Sequence, residues 1–155
     1  MEVFRISKEI YATSLSASGS ANRWNTKGQQ VIYTGSSRSL SSLELIVHRG
    51  AAQPNVGPAT ARYRVMVISI ADDDHLIRQI QLSDLPPNWQ SLTGYPIVQG
   101  IGSAWYNSQE SLILKVPSAI IVYEYNYIIN TEHPDFGSNV QVVRTEDYFW
   151  DSRLL

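Results

Sequence analysis

The 155-residue sequence has no cysteine. That single absence removes a disulfide framework, a thiolate metal site and a cysteine nucleophile. Charge is scarce too: 12 Lys and Arg against 14 Asp and Glu, 17% of the chain together, leave a net charge of −2. A grip on nucleic acid rests on many phosphate-neutralising cations, so this balance argues against direct nucleic-acid binding. No apolar run approaches the roughly 20 residues that cross a bilayer. The opening "MEVFRISKEIYA" also lacks the apolar stretch of a signal peptide. The expectation is a soluble, cytoplasmic protein with no membrane partner. The three histidines, His48, His75 and His133, stand in no H-E-x-x-H or other paired spacing, so no metal is expected. There is no G-x-S-x-G elbow, which sets serine-hydrolase chemistry low. Repeats and low-complexity runs are absent as well.

What is present is a hydrophobic fraction of 43%. At this length about 70% of the unfolded chain's surface can be buried, enough for one core, and one domain over residues 1–155 is expected. Strands are predicted at Val3 to Ile6, Val31 to Thr34, Arg62 to Ile70, Leu112 to Val116, Ile120 to Tyr123, Tyr127 to Ile129 and Val140 to Arg144. Pro117, Asn126 and the "HPDFG" turn separate the last four. His75 to Leu82 reads as a further extended segment before "LPPNW" turns the chain. Ser39 to His48 has helical periodicity, whereas Thr93 to Ser108 is ambiguous, with helical character near "SAWYNS". "GAAQPNVGPAT", Gly50 to Thr60, reads as a long loop. The sum is an α+β fold with a mixed or antiparallel sheet and few helices.

Three places could carry chemistry. On the predicted helix Leu40, Leu43 and Val47 form an apolar stripe, and Glu44 lies on its edge, facing inward or into a cleft. Glu44 is either half of a capping box with Ser41 or a cleft carboxylate that stabilises a developing cation. In "NRWNTKG", Arg23 beside Trp24 is either an arginine stacked on an aromatic or a fork for carboxylate or phosphate. In the second case Asn25, Lys27 and Gly28 supply extra donors and close backbone approach. Ser118 follows Pro117 where the chain must turn, and reads by itself as a turn former. "ADDDH", Ala71 to His75, reads as a solvated loop.

Taken in order, "FRI", "RWNTKG", "VIYTGSS", "SLELIVH", "LPPNW", "IGSAWYNS", "LILKVPSAI", "NYIINTEHPDF" and "FWDSRLL" resemble the RES domain family, the toxin half of Xre–RES toxin–antitoxin pairs. The resemblance covers nearly the whole chain. It implies an ADP-ribosyltransferase-like fold, with the family arginine at Arg23, the glutamate at Glu44 and the serine at Ser118. Tyr33 falls at a further active-site aromatic and Arg5 at a second anion-binding arginine. Ala21 and Asn22 replace glycines usual before the arginine, and Ser103 stands where an acidic residue is often found.

The resemblance further implies that NAD is consumed as substrate, with no metal. Arg5, Arg23, Trp24, Asn25 and Tyr33 would bind it; Glu44, Arg23, Ser118 and Tyr33 would carry the cleavage of its nicotinamide–ribose bond. Transfer of ADP-ribose to a protein is the alternative, with a noncatalytic binding module behind it. An RNA-cleaving toxin is disfavoured by the charge and by the lack of a histidine pair. The implied partner is a helix-turn-helix antitoxin of Xre type that covers the active site and itself touches DNA, in a homodimer or a heteromeric toxin–antitoxin assembly.

Overall fold

A computed structural model describes residues 1–52 and 61–154. Seven strands run through it: β1 (Glu2–Lys8), β2 (Val31–Gly35), β3 (Tyr63–Ile70), β4 (Ile77–Gln79), β5 (Ile113–Pro117), β6 (Tyr125–Asn130) and β7 (Val140–Tyr148). Three α-helices accompany them, α1 (Arg38–Ala52), α2 (Tyr95–Ser108) and the single turn α3 (Phe136–Asn139). The strands form one sheet in the order β4-β5-β6-β2-β1-β3-β7. Only the β4–β5 pair is parallel among the described strands, so the sheet is mixed and the α+β expectation holds.

One seam in this sheet decides where a ligand can go. β1 pairs with β3 along its whole length, from Glu2 opposite Ser69 to Lys8 opposite Tyr63. β2 pairs with β6 from Val31 opposite Asn130 to Gly35 opposite Asn126. Between β1 and β2, however, the register consists of Phe4 opposite Gly35. The sheet is therefore two ladders hinged at one point, and the strand edges diverge away from it.

Apolar packing covers both faces of the sheet. Val3, Ile32, Met66, Ile68, Ile113 and Ile129 belong to one cluster that spans both ladders. On the other face Val98 and Trp105 of α2 pack with Leu114, Val116 and Ile128, while Phe4, Val65 and Val67 form a smaller cluster beneath α1, which lies against β1 and β2. Fully burying such side chains contributes about 1.5–3 kcal/mol each.

The helices start and stop for local reasons. Ser37 caps α1, its Oγ accepting the Leu40 N–H at 3.0 Å, which supplies one donor that the first turn leaves orphaned. Pro96 sits in the first turn of α2, where its missing N–H costs nothing. α2 ends at Gln109, a non-glycine residue at φ 56°, whose carbonyl lies 3.0 Å from Nε2 of the buried His133.

Several sequence expectations are corrected. Ile120 to Tyr123 is a turn, not a strand: the Ser118 hydroxyl accepts the N–H groups of Ile120 and Ile121 at 3.0 and 3.1 Å, a local alternative to a ladder. The ambiguous Thr93 to Ser108 stretch is a helix from Tyr95 onward. Of His75 to Leu82, Ile77–Gln79 is strand, flanked by short 3₁₀ turns. Asn126 does not separate strands but lies inside β6. α1 runs on to Ala52, past the expected loop start at Gly50, and residues 53–60 of that loop lie outside the described residues.

Candidate active site

The cleft opens over the seam. It measures about 290 Å³ and its lining includes Arg5, Arg23, Tyr33, Glu44, His48 and Asn126, near the lower end of the ~300–1,000 Å³ usual for ligand pockets. Among the described residues, two arginines, one glutamate and one histidine are its charged or titratable groups besides Tyr33.

Glu44 reaches it from α1. The face that α1 turns to the cleft carries Ser41, Glu44, Leu45 and His48, at helical spacings of three and four. Leu43 and Val47, expected beside Leu40 on an inner stripe, are 38% and 52% exposed, so the apolar stripe is not the buried face. The capping-box reading is also corrected. Ser41 lies inside the helix and donates to the carbonyls of Ser37 and Phe4, both at 2.9 Å. An added Cβ at Gly35 would press on the same hydroxyl, so glycine there lets α1 settle on the hinge of the sheet.

The carboxylate is held from the β5–β6 side. Ser118 Oγ donates to Glu44 Oε1 at 2.9 Å, and Asn126 Nδ2 donates to the same oxygen at 2.6 Å. Ser118 is fully buried, and its oxygen already accepts two backbone N–H groups, so its one proton points at Glu44. Among the described residues Oε2 of Glu44 has no hydrogen-bond partner. One oxygen is thus fixed and the other is available at the cleft.

Arg23 sits on a turn closed by reciprocal backbone bonds between Asn22 and Asn25, at 3.1 and 3.2 Å. The turn sends neighbouring side chains apart. Trp24 is 3% exposed and meets Trp89 with ring centroids 6.3 Å apart. Arg23 does not stack on Trp24 as its position suggested; its guanidinium lies 5.3 Å from the Tyr95 ring and donates to the Trp89 carbonyl at 3.2 Å.

Tyr33 and Asn25 form one unit. The Tyr33 hydroxyl donates to Asn25 Oδ1 at 2.7 Å and accepts the Trp24 N–H at 3.0 Å. Burial pushes the phenol above its ordinary pKa, opposed by the Trp24 N–H bond, so it stays neutral and a donor. Asn25 is fully buried and spends its amide on the carbonyls of Ser20 and Thr26. It does not line the cleft, whereas the Tyr33 ring does. Arg5, one residue from the hinge, donates to the Ser16 carbonyl at 3.0 Å, and burial lowers its pKa from the usual arginine range.

Arg5, Arg23, Trp24, Tyr33 and Glu44 therefore share one cleft, Ser118 acts on it through Glu44, and Asn25 stands behind Tyr33. Asn126 was missed. Its signal is a poor strand former amid strong ones in "YNYII". Among the described residues no three His, Asp or Glu side chains cluster as a metal would need, and no helix is long and apolar enough to cross a membrane.

The RES domain model matches residues 2–151. The chain belongs to the RES domain family. Among its relatives is "Toxin Res" of Photorhabdus laumondii, 31% identical over 159 residues, covering 100% of this chain and 97% of the relative. The "Prs ADP-ribosylating toxin" of a Sphingobium species is 29% identical over 150 residues, covering 93% of this chain and 88% of that one. Among solved structures, a chain of the M. tuberculosis MbcT-MbcA toxin-antitoxin complex superposes with a TM-score of 0.72 at 18% identity, over 95% of this RES domain chain and 83% of its own. That likeness establishes a shared fold.

Proposed function

We propose that this RES domain protein is the toxin of a toxin–antitoxin pair and consumes NAD by breaking its nicotinamide–ribose bond. The observation that carries the reading is Glu44, a carboxylate with one oxygen fixed by Ser118 and Asn126 and the other available in a cleft that two arginines line.

Arg23 and Arg5 bind the diphosphate through charge-assisted hydrogen bonds of about 1.5–3 kcal/mol each. The Tyr33 ring packs on the nicotinamide or its ribose, while its hydroxyl keeps the Arg23 turn in place. When the C1′–N bond breaks, the electron pair goes to the nicotinamide nitrogen, which was cationic and leaves neutral. No general acid is needed, unlike in ordinary glycoside cleavage. The ribosyl group becomes an oxocarbenium-like cation, and Glu44 Oε2 stabilises it or holds its hydroxyls. Water then attacks C1′ and passes its proton to solvent, or a phosphate dianion attacks through an unprotonated oxygen and loses none. Ser118 and Asn126 position Glu44.

A second reading, transfer of ADP-ribose to a protein side chain, is favoured by the relative called an ADP-ribosylating toxin. It uses the same site with a different acceptor. An antitoxin that covers the cleft would silence either activity.

The test is to incubate purified protein, free of antitoxin, with NAD, with and without phosphate, beside Glu44→Ala. Nicotinamide release that falls about 10²–10³-fold in the variant is expected from loss of one preorganised electrostatic contact. Label passing from NAD to lysate protein would select the transferase. A folded Glu44→Ala protein with full NAD consumption would remove the role given to Glu44.

A further inference from the structure

One face of α2 is polar although the helix packs against the core. Its inner residues Val98 and Trp105 are buried with the β5–β6 side chains. Tyr95, Gln99, Gly102, Ser103 and Tyr106 follow one another at helical spacings on a second stripe, and every one of them meets the segment from Asn22 to Gln30. Tyr95 lies under the Arg23 guanidinium. Gly102 runs so close that an added Cβ would overlap the Trp24 carbonyl. Ser103 Oγ accepts from Gln29 Nε2 at 2.8 Å, and the Tyr106 hydroxyl accepts the Gln30 N–H at 3.2 Å.

Gln99 is the centre of this stripe. Its side-chain amide donates to the Asn22 carbonyl at 3.1 Å and to the Asn25 carbonyl at 2.9 Å. Those are the two ends of the turn that carries Arg23, and the same two carbonyls close the turn by accepting each other's N–H. Each carbonyl has a second lone pair, and Gln99 fills both. A turn of four residues is thereby held at both ends by a rigid helix.

We propose that Gln99 is a positioning residue for Arg23: it staples the turn to α2 and fixes where the guanidinium meets an anionic group of the ligand. The ligand class, a dinucleotide diphosphate, rests on the reading of the site given above. The staple itself does not depend on it. Arg23 contributes binding in ground and transition states alike, whereas the Glu44 network lies on α1, on β6 and just past the end of β5 and makes no hydrogen bond to Gln99 among the described residues. Loss of the staple therefore acts on affinity and not on the chemical step.

Gln99→Met keeps the side-chain size and removes both donors. With NAD as the varied substrate and nicotinamide release as the readout, KM rises by about tenfold while kcat stays within about twofold, the pattern of lost uniform binding. Gln99→Glu, which turns a carboxylate toward the two carbonyls, raises KM at least as far. Amide exchange is followed in the same proteins without NAD. Trp24 and Asn25 exchange about tenfold faster or more in Gln99→Met, as a local opening, while β5 and β6 amides keep their rates. An unchanged KM in active enzyme, a fall in kcat at constant KM, or acceleration spread over the whole sheet would overturn the proposal. If the wild-type protein releases no nicotinamide and transfers no label, the NAD reading falls, and unchanged exchange at Trp24 and Asn25 would then sink the staple separately.

Discussion

Replacing Asn126 with alanine isolates one hydrogen bond at the centre of the cleft. Asn126 stands in β6 between Gly35 of β2 and Val116 of β5, so its backbone is held on both sides and an alanine leaves the strand intact. What the substitution removes is the 2.6 Å contact from Nδ2 to Glu44 Oε1. Ser118 then holds the carboxylate alone at 2.9 Å, and Glu44, half-buried on α1, gains rotamers that turn Oε2 away from the cleft position in which the proposed reaction uses it.

A hydrogen bond to a charged group contributes about 1.5–3 kcal/mol. If the whole of it acts in the transition state, at 1.36 kcal/mol per decade, kcat falls by about 10- to 160-fold. On the proposed reading KM for NAD stays near its wild-type value, because Arg5 and Arg23, assigned there to the diphosphate, line the cleft apart from this bond. The assay is steady-state nicotinamide release across NAD concentrations, with a urea midpoint for each protein to show that the fold is kept. An unchanged kcat with a raised KM would make Glu44 a ground-state binder of the ribose hydroxyls. Unchanged values of both would mean that the bond to Asn126 does nothing for the site, and the argument from a fixed oxygen and a free one would be wrong.

The same residue marks where sequence and structure part. Strands and the first helix were legible because β-branched runs and apolar periodicity are local signals, and β1, β2, β3, β5 and β7 fall where those signals lie. The seam was not, since one opposed pair, Phe4 and Gly35, is a long-range fact with no local pattern. Ile120 to Tyr123 misled for a related reason: its side chains favour a strand, but a serine hydroxyl just before it satisfies two of its N–H groups. Arg23 and Trp24 are neighbours in sequence and diverge in space because the Asn22–Asn25 turn reverses the chain between them.

The helix that carries Glu44 shows the same conflict in a single element. Its apolar residues suggested a buried stripe through Leu43 and Val47, yet these are exposed, and the face turned to the cleft is the mixed one of Ser41, Glu44, Leu45 and His48. A helix built only to pack would bury Leu43 and Val47. This one presents a carboxylate to a gap between two ladders, and binary pattern fails where the site is. The ordered motifs point to Arg23, Glu44 and Ser118 from sequence alone; the hydrogen bonds of Asn126 to Glu44 and of Gln99 to the Arg23 turn are long-range contacts that no local pattern encodes.

Two further perturbations test the scaffold. In Gly102→Ala the new Cβ would overlap the Trp24 carbonyl; because the obstacle is backbone, urea unfolding should show a loss at or above the ~1–3 kcal/mol usual for overpacking, and an unchanged midpoint would mean that α2 does not approach the Arg23 turn this closely. The other is the tie between α1 and the edge strand β7. Arg38, the first residue of α1, donates from Nε and Nη2 to the two oxygens of Glu146 at 2.7 and 2.6 Å, and these bonds, with a lesser one from Arg144 Nε at 3.1 Å, push the Glu146 carboxyl from its ordinary 4.5 down to about 2. A carboxylate with a depressed folded-state pKa binds protons more weakly folded than unfolded, so it adds stability above the unfolded value and loses it as pH falls toward the folded one. The window runs from 4.5 down to about 2. The pair is partly exposed, its side chains 46% and 30% accessible, so solvent screening keeps its contribution small and shrinks it in high salt. Glu146→Gln should be less stable than wild type near neutral pH and should converge on it through that window, whereas acid limbs of the two proteins that run parallel would show that this ion pair does not hold α1, and Glu44 with it, against the sheet.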